Sequence, residues 1–124
     1  MRALIVDDSR FVRSYLRGLL EKKGIVCEEA GNGMAGLDCL RTRADIDLVL
    51  LDWNMPVMNG LETLKQIRAS GISWTKVLMV TTEAENDYIM RALEAGADEY
   101  LMKPFDNEAL DEKLAMLGFA QVEQ

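Results

Sequence analysis

Leu48-Val-Leu-Leu-Asp-Trp-Asn-Met-Pro56 opens with four large aliphatic residues in a row and then changes character at a carboxylate. An unbroken aliphatic run is the pattern of a strand buried on both faces, as in a parallel sheet. The run places a strand at Asp47 to Leu51, with Asp52 where that strand should emerge. Trp53, Asn54 and Pro56 then turn the chain into a loop through Met58-Asn-Gly60. Open α/β folds hold their ligands beyond the carboxyl ends of the strands. Asp52 is therefore the first candidate for chemistry.

On either side of this stretch, strand and helix patterns alternate. Ala3 to Val6 is a short apolar strand ending in Asp7-Asp8, and Ser9 is a natural N-cap for a helix carrying Val12, Tyr15, Leu16, Leu19 and Leu20 up to Lys23-Gly24. Ile25 to Ala30 is a second strand whose Glu28 and Glu29 suit an edge, followed by Gly31-Asn-Gly33 and a helix with Leu37 and Leu40 running to about Arg43. After Asp52, Leu61, Leu64 and Ile67 mark a helix that stops near Ser70-Gly71, and Lys76 to Val80 is a strand leaving through Thr81-Thr82-Glu83. A helix from about Asn86 carries Ile89, Ala92 and Leu93 up to Gly96, a left-handed cap position. Glu99 to Met102 is a last strand before Lys103-Pro104, and a helix from Asp106-Asn107 buries Leu110, Leu114 and Leu117 before Gly118. The tail from Phe119 to Gln124 carries no pattern. Alternating strands and helices imply α/β with a parallel sheet, because each helical crossover returns the chain in the same direction.

Composition narrows the function. A chain of 124 residues makes one domain, residues 1–124, with apolar content sufficient for a core without metal staples or disulfides. The formal charge of −7 opposes non-specific nucleic-acid binding, which depends on neutralising phosphates. No apolar run approaches a membrane span, and Met1-Arg2 leads into a strand instead of a signal peptide, so a cytoplasmic protein is expected. Cys27 and Cys39 fit a reducing compartment as free thiols and lack metal-ligand spacing. The chain has no histidine, which removes imidazole bases, His-based zinc sites and Ser-His-Asp arrangements. A phosphohistidine, if one is involved, belongs to a partner.

The strand ends share a theme: Asp7-Asp8 after the first, Asp52 after the third, Thr81 after the fourth, Lys103 after the fifth. Parallel strands deliver all of them to one edge of the sheet. Carboxylates gathered there repel one another unless a cation intervenes, and an all-oxygen donor set favours Mg²⁺ or Mn²⁺.

The same residues carry a family resemblance. Ile5-Val-Asp-Asp-Ser-Arg10, Leu50 to Gly60, Met79-Val-Thr-Thr-Glu83 and Gly96 to Phe105 resemble the receiver domain of two-component response regulators. The similarity spans essentially the whole chain and is greatest to the stand-alone chemotaxis (CheY) type, with no output domain expected after the last helix. It implies the flavodoxin/CheY-like fold, strand order 2-1-3-4-5, with helices on both faces. It implies that Asp52 is the phosphoacceptor and that Mg²⁺ is held by Asp8, Asp52 and the carbonyl of Asn54, with Asp7 acting through water. Thr81 and Lys103 would contact the phosphoryl oxygens, Thr81 and Tyr100 would form the switch, and Lys103-Pro104 would be cis. Asn54 and Glu83 occupy lifetime-tuning positions, and their amide and carboxylate resemble those of rapidly dephosphorylating regulators. The implied partners are a sensor histidine kinase or histidine phosphotransfer domain, met near Arg10, Phe11 and Ser14, and a downstream effector such as the flagellar motor switch. The protein would be a phosphoacceptor that catalyses its own phosphorylation and dephosphorylation, not a turnover enzyme.

The physical logic agrees. A carboxylate is already ionised at neutral pH, so this nucleophile needs no general base. Besides an intermediate place in a phosphorelay, two other classes compete. Gly31-Asn-Gly33-Met-Ala-Gly36 has the spacing of a dinucleotide-binding loop, but Glu28 and Glu29 would repel a pyrophosphate and the preceding strand reads as an edge. A Mg²⁺-dependent phosphatase of the haloacid dehalogenase type needs an Asp-x-Asp after the first strand, and Val6-Asp-Asp-Ser9 does not match it.

Overall fold

The computed structural model describes residues 1–82 and 86–119. Along the chain these form β1 (Arg2–Val6), α1 (Arg10–Glu21), β2 (Val26–Ala30), α2 (Gly33–Thr42) and β3 (Leu48–Asp52). They continue as α3 (Gly60–Ala69), β4 (Lys76–Thr81), α4 (Asn86–Glu94), β5 (Glu99–Met102) and α5 (Asn107–Met116). The sheet is parallel in the order β2-β1-β3-β4-β5, with β2 and β5 at its edges. The expected architecture and order are those observed.

The aliphatic runs explain themselves in the layers. Successive residues of a strand face opposite sides, so Val49 and Leu51 enter the core under α2, α3 and α4, while Leu48 and Leu50 enter the one shared with α1 and α5. Leu4 and Val6 of β1 and Val77 and Met79 of β4 join the first layer, and Ala3, Ile5, Leu78 and Val80 the second. Each fully buried Leu or Ile contributes roughly 1.5–3 kcal/mol of apolar transfer. Helices therefore cover both faces of the sheet.

Three boundaries move in an informative way. Asp47 lies before β3, because its N–H donates to the Arg2 carbonyl at 2.9 Å and its carboxylate takes the Arg2 N–H at 2.9 Å. Asp52 belongs to the ladder as its last residue, in register with Val80, and Thr81 is likewise paired with Met102. Tyr15 and Leu93, which the helical period placed with the core, are 44% and 41% exposed. Leu16, Leu20 and Ala92, read on the same faces, are buried as expected.

Local signals act as read. The Ser9 side chain accepts the Val12 N–H at 3.2 Å, Asn59 and Glu62 form a capping box on α3, and Gly96 sits at φ +112. The Lys103–Pro104 peptide is cis. Cys27 and Cys39 are free, the first fully buried with its thiol pushed up to about 11 by desolvation. Among the described residues no helix is long and apolar enough to cross a membrane.

Candidate functional site

β1 and β3 are neighbours in the sheet, yet the chain leaves them toward opposite sheet edges. Their carboxyl ends therefore border the crevice where α/β sheets bind ligands. Asp7 and Asp52 stand there almost fully buried, at 2% and 4% exposure, and Asp8 faces solvent beside them. One oxygen from each of the three lies within 4.8 Å of the others. Lys103, arriving from the end of β5, places Nζ 3.2 Å from Asp52 Oδ1 and 3.3 Å from Asp7 Oδ2. The topology thus joins residues 96 positions apart.

The backbone fixes this arrangement tightly. Asp7 donates its N–H to the Ala30 carbonyl at 3.1 Å, accepts the Ser9 N–H on Oδ1 at 2.8 Å, and has its carbonyl held by Arg13 Nη1 at 2.6 Å. Below Asp52, the Gly60 N–H closes the loop onto the Trp53 carbonyl at 2.8 Å. A side-chain carbon at Gly60 would fall 2.3 Å from the Asp52 carbonyl oxygen, so only glycine lets α3 start this close to the strand end. Trp53 is buried, edge-on to Tyr88 with ring centroids 5.2 Å apart.

Electrostatics mark the cluster as unbalanced. Burial raises the Asp52 pKa, repulsion from Asp7 raises it further, and Lys103 offsets only part of this. For Lys103, burial acts against the ammonium, but Asp52 and Asp7 outweigh it and hold its pKa above the ordinary value. Three carboxylates with one ammonium bridging two of them are a cage of hard oxygens with excess negative charge, and that donor set fits a small divalent cation.

The remaining expected residues fall around this centre. Thr81 is buried at the end of β4, and its carbonyl accepts the Lys103 N–H at 2.8 Å. Asn54 is exposed, its amide reaching the Thr82 hydroxyl at 3.5 Å. Tyr100 lies partly buried on β5, with Lys113 Nζ 4.4 Å above its ring. Arg10, Phe11 and Ser14 are exposed on the first turns of α1, Phe11 at 80%. Glu83 lies outside the described residues. Arg13 and Gly60 went unassigned in the sequence. The Asn59-Gly60 pair was a readable signal for the second, whereas nothing in a helical pattern distinguishes Arg13 from a solvent-facing arginine.

The glycine-rich loop is spent on packing. A Cβ at Gly33 would meet Thr63 Oγ1 at 2.3 Å, and one at Gly36 would meet Val6 Cγ2 at 3.0 Å. These glycines seat α2 against α3 and the sheet, and β2 is an edge strand, unlike the central strand that a dinucleotide loop follows.

Residues 3–115 match the family model of the response regulator receiver domain. The chain belongs to the response regulator receiver family. This receiver is 41% identical over 116 residues to the chemotaxis protein CheY-3 of Vibrio cholerae, covering 92% of this chain and 88% of that protein. It is 36% identical over 119 residues to the chemotaxis protein CheY1 of Helicobacter pylori, covering 94% and 96%. Among solved structures it resembles Vibrio cholerae CheY4, with a TM-score of 0.86, 33% identity and coverage of 92% and 95%. The receiver also superimposes on a Francisella response regulator receiver domain, with a TM-score of 0.85, 28% identity and 94% coverage of both chains.

Proposed function

We propose that Asp52 is the residue of this receiver that accepts a phosphoryl group, donated by a phosphohistidine on a sensor kinase or phosphotransfer domain. The observation that carries the reading is the buried Asp52 carboxylate, joined through Lys103 to Asp7 and clustered with Asp8 at the carboxyl ends of parallel strands. A carboxylate oxygen of Asp52 attacks phosphorus, the P–N bond breaks, and the histidine nitrogen keeps the electron pair. The product is an acyl phosphate. Asp7, Asp8, Asp52 and the Asn54 carbonyl are the residues to hold Mg²⁺, or Mn²⁺ in its place. Bound there, the ion neutralises charge on the carboxylates and on the phosphoryl oxygens. The Lys103 ammonium and the Thr81 hydroxyl are the chain's own donors to those oxygens.

The named relatives are chemotaxis proteins, which supports a chemotactic role for this cytoplasmic receiver. The phosphorylated form then alters the surface of α4, β5 and α5 through Thr81 and Tyr100 for a downstream protein, such as a flagellar motor component. Residues 1–124 act as one receiver unit, and the activity is stoichiometric, with Asn54 and Glu83 hastening hydrolysis of the acyl phosphate.

Transfer of labelled phosphate from a phosphorylated histidine domain tests this directly. One equivalent should move to the receiver in the presence of Mg²⁺ and be lost within minutes. Sustained turnover of added phosphoesters, or a label that persists for many hours at room temperature, would contradict it.

A further inference from the structure

We infer that Arg13 is a positioning residue for the divalent-cation site, holding the Asp7–Asp8 turn in its binding geometry through the Asp7 backbone carbonyl. Arg13 stands on the second turn of α1 with its side chain 16% exposed. Its Nη1 donates to the Asp7 carbonyl at 2.6 Å, the shortest contact made to either aspartate of the turn. Its Nε donates to Glu29 Oε1 at 3.0 Å, on edge strand β2. Glu29 is in turn paired with Arg17, which also donates to the Cys27 carbonyl at 2.8 Å. The guanidinium therefore bridges a fixed carboxylate on one strand to the last peptide before Asp8 on the next. Asp8 has a carboxylate exposed to solvent, so this peptide is what fixes its direction. Arg can make both bonds from one planar fork, and Lys cannot.

The charge of Arg13 works in the opposite sense to its geometry, which gives the inference its test. A bare cation next to an acidic cluster lowers affinity for Mg²⁺. Glu29, at 3.0 Å from Arg13 and shared with Arg17, offsets part of that field, and position outweighs the remaining charge. Groups that orient metal ligands typically carry 10–100-fold in affinity.

The inference rests on the metal-binding reading of Asp7, Asp8 and Asp52. Mg²⁺ titration followed by Trp53 fluorescence, together with labelling by acetyl phosphate at saturating Mg²⁺, would be made on the wild type, Arg13→Ala, Arg13→Lys and Glu29→Gln. Arg13→Ala should bind Mg²⁺ about ten-fold more weakly and still reach wild-type labelling at saturation. Arg13→Lys should recover part of the loss. Glu29→Gln keeps Arg13 but frees its cation, and should also weaken binding; it serves if Arg13→Ala fails to fold. Unchanged affinity in folded variants would reduce Arg13 to a structural contact, and tighter binding by Arg13→Ala would show that charge, not position, prevails. Either result overturns the inference. A wild type that gives neither a fluorescence change nor labelling would instead defeat the metal-site reading beneath it.

Discussion

The two ends of the sheet both carry charged clusters, built on opposite plans. At the amino-terminal end, Arg2 pairs with Glu28 and Asp45, Arg43 with the same two carboxylates, and Arg68 with Asp98. Glu28, Asp45 and Asp98 each have a guanidinium, and the pairs fasten loops to strand starts. At the carboxyl-terminal end, Asp7, Asp8 and Asp52 cluster around one cation, Lys103, which pairs with Asp7 and Asp52. Partly exposed, balanced pairs cost little and contribute little. A buried excess of one sign is costly to keep. Its retention at one end only marks where the molecule gives up stability for chemistry.

The sharpest test of that contrast comes from the balanced end. Arg68 donates to the carbonyls of Gly96, Ile72 and Thr75 at 2.9–3.0 Å and to Asp98 at 2.9 Å. Arg68→Ala leaves the three carbonyls unpaired and, through them and not through the ion pair, should destabilise the fold by about 2–4 kcal/mol in urea unfolding. Mg²⁺ affinity should stay within two-fold, by the estimate of about 0.4 kcal/mol for such a change. A changed affinity would mean that the two ends are coupled.

Removing a charge at the other end should act with the opposite sign. Asp52→Asn keeps the shape, leaves Lys103 paired with Asp7, and removes a buried, repelled carboxylate. In metal-free buffer it should stabilise the fold, measured by the same unfolding. Destabilisation would show that Lys103 already balances the cluster.

Most of this division was legible in the sequence, for a reason. Parallel strands joined by crossovers must present their ends together, so Asp7, Asp52, Thr81 and Lys103 could be gathered from hydrophobic pattern alone. Side chains that act sideways were not legible. Arg13 and Arg68 went unassigned, because periodicity assigns faces and says nothing of which backbone carbonyl a long side chain reaches. Tyr15 shows the related error: it is 44% exposed and meets Phe105, its hydroxyl donating to the Phe105 carbonyl at 3.3 Å with ring centroids 5.9 Å apart.

The smallest expected effect separates the clusters by pH. Arg43 holds the Asp45 carboxyl below its usual range. Burial opposes the Glu29 carboxylate, but Arg17 and Arg13 outweigh it and lower its pKa as well. Folded pKa values below the unfolded ones give stability that is present above the unfolded values, 3.8 and 4.5, and lost as pH falls through the folded ones. In the metal-free protein these two carboxylates therefore make acid erode stability below about pH 4.5, against the opposite contribution of Asp52, whose raised pKa adds stability as it protonates. In Glu29→Gln the upper part of that loss should be missing, and an unchanged acid profile would remove Glu29 from the account.

The central claim concerns Asp52 alone. Intact-mass spectrometry after exposure to acetyl phosphate and Mg²⁺ should show one phosphoryl adduct on the wild type, none on Asp52→Ala, and none on the wild type with the metal chelated. An adduct that survives in Asp52→Ala, or that forms as readily without Mg²⁺, would contradict it.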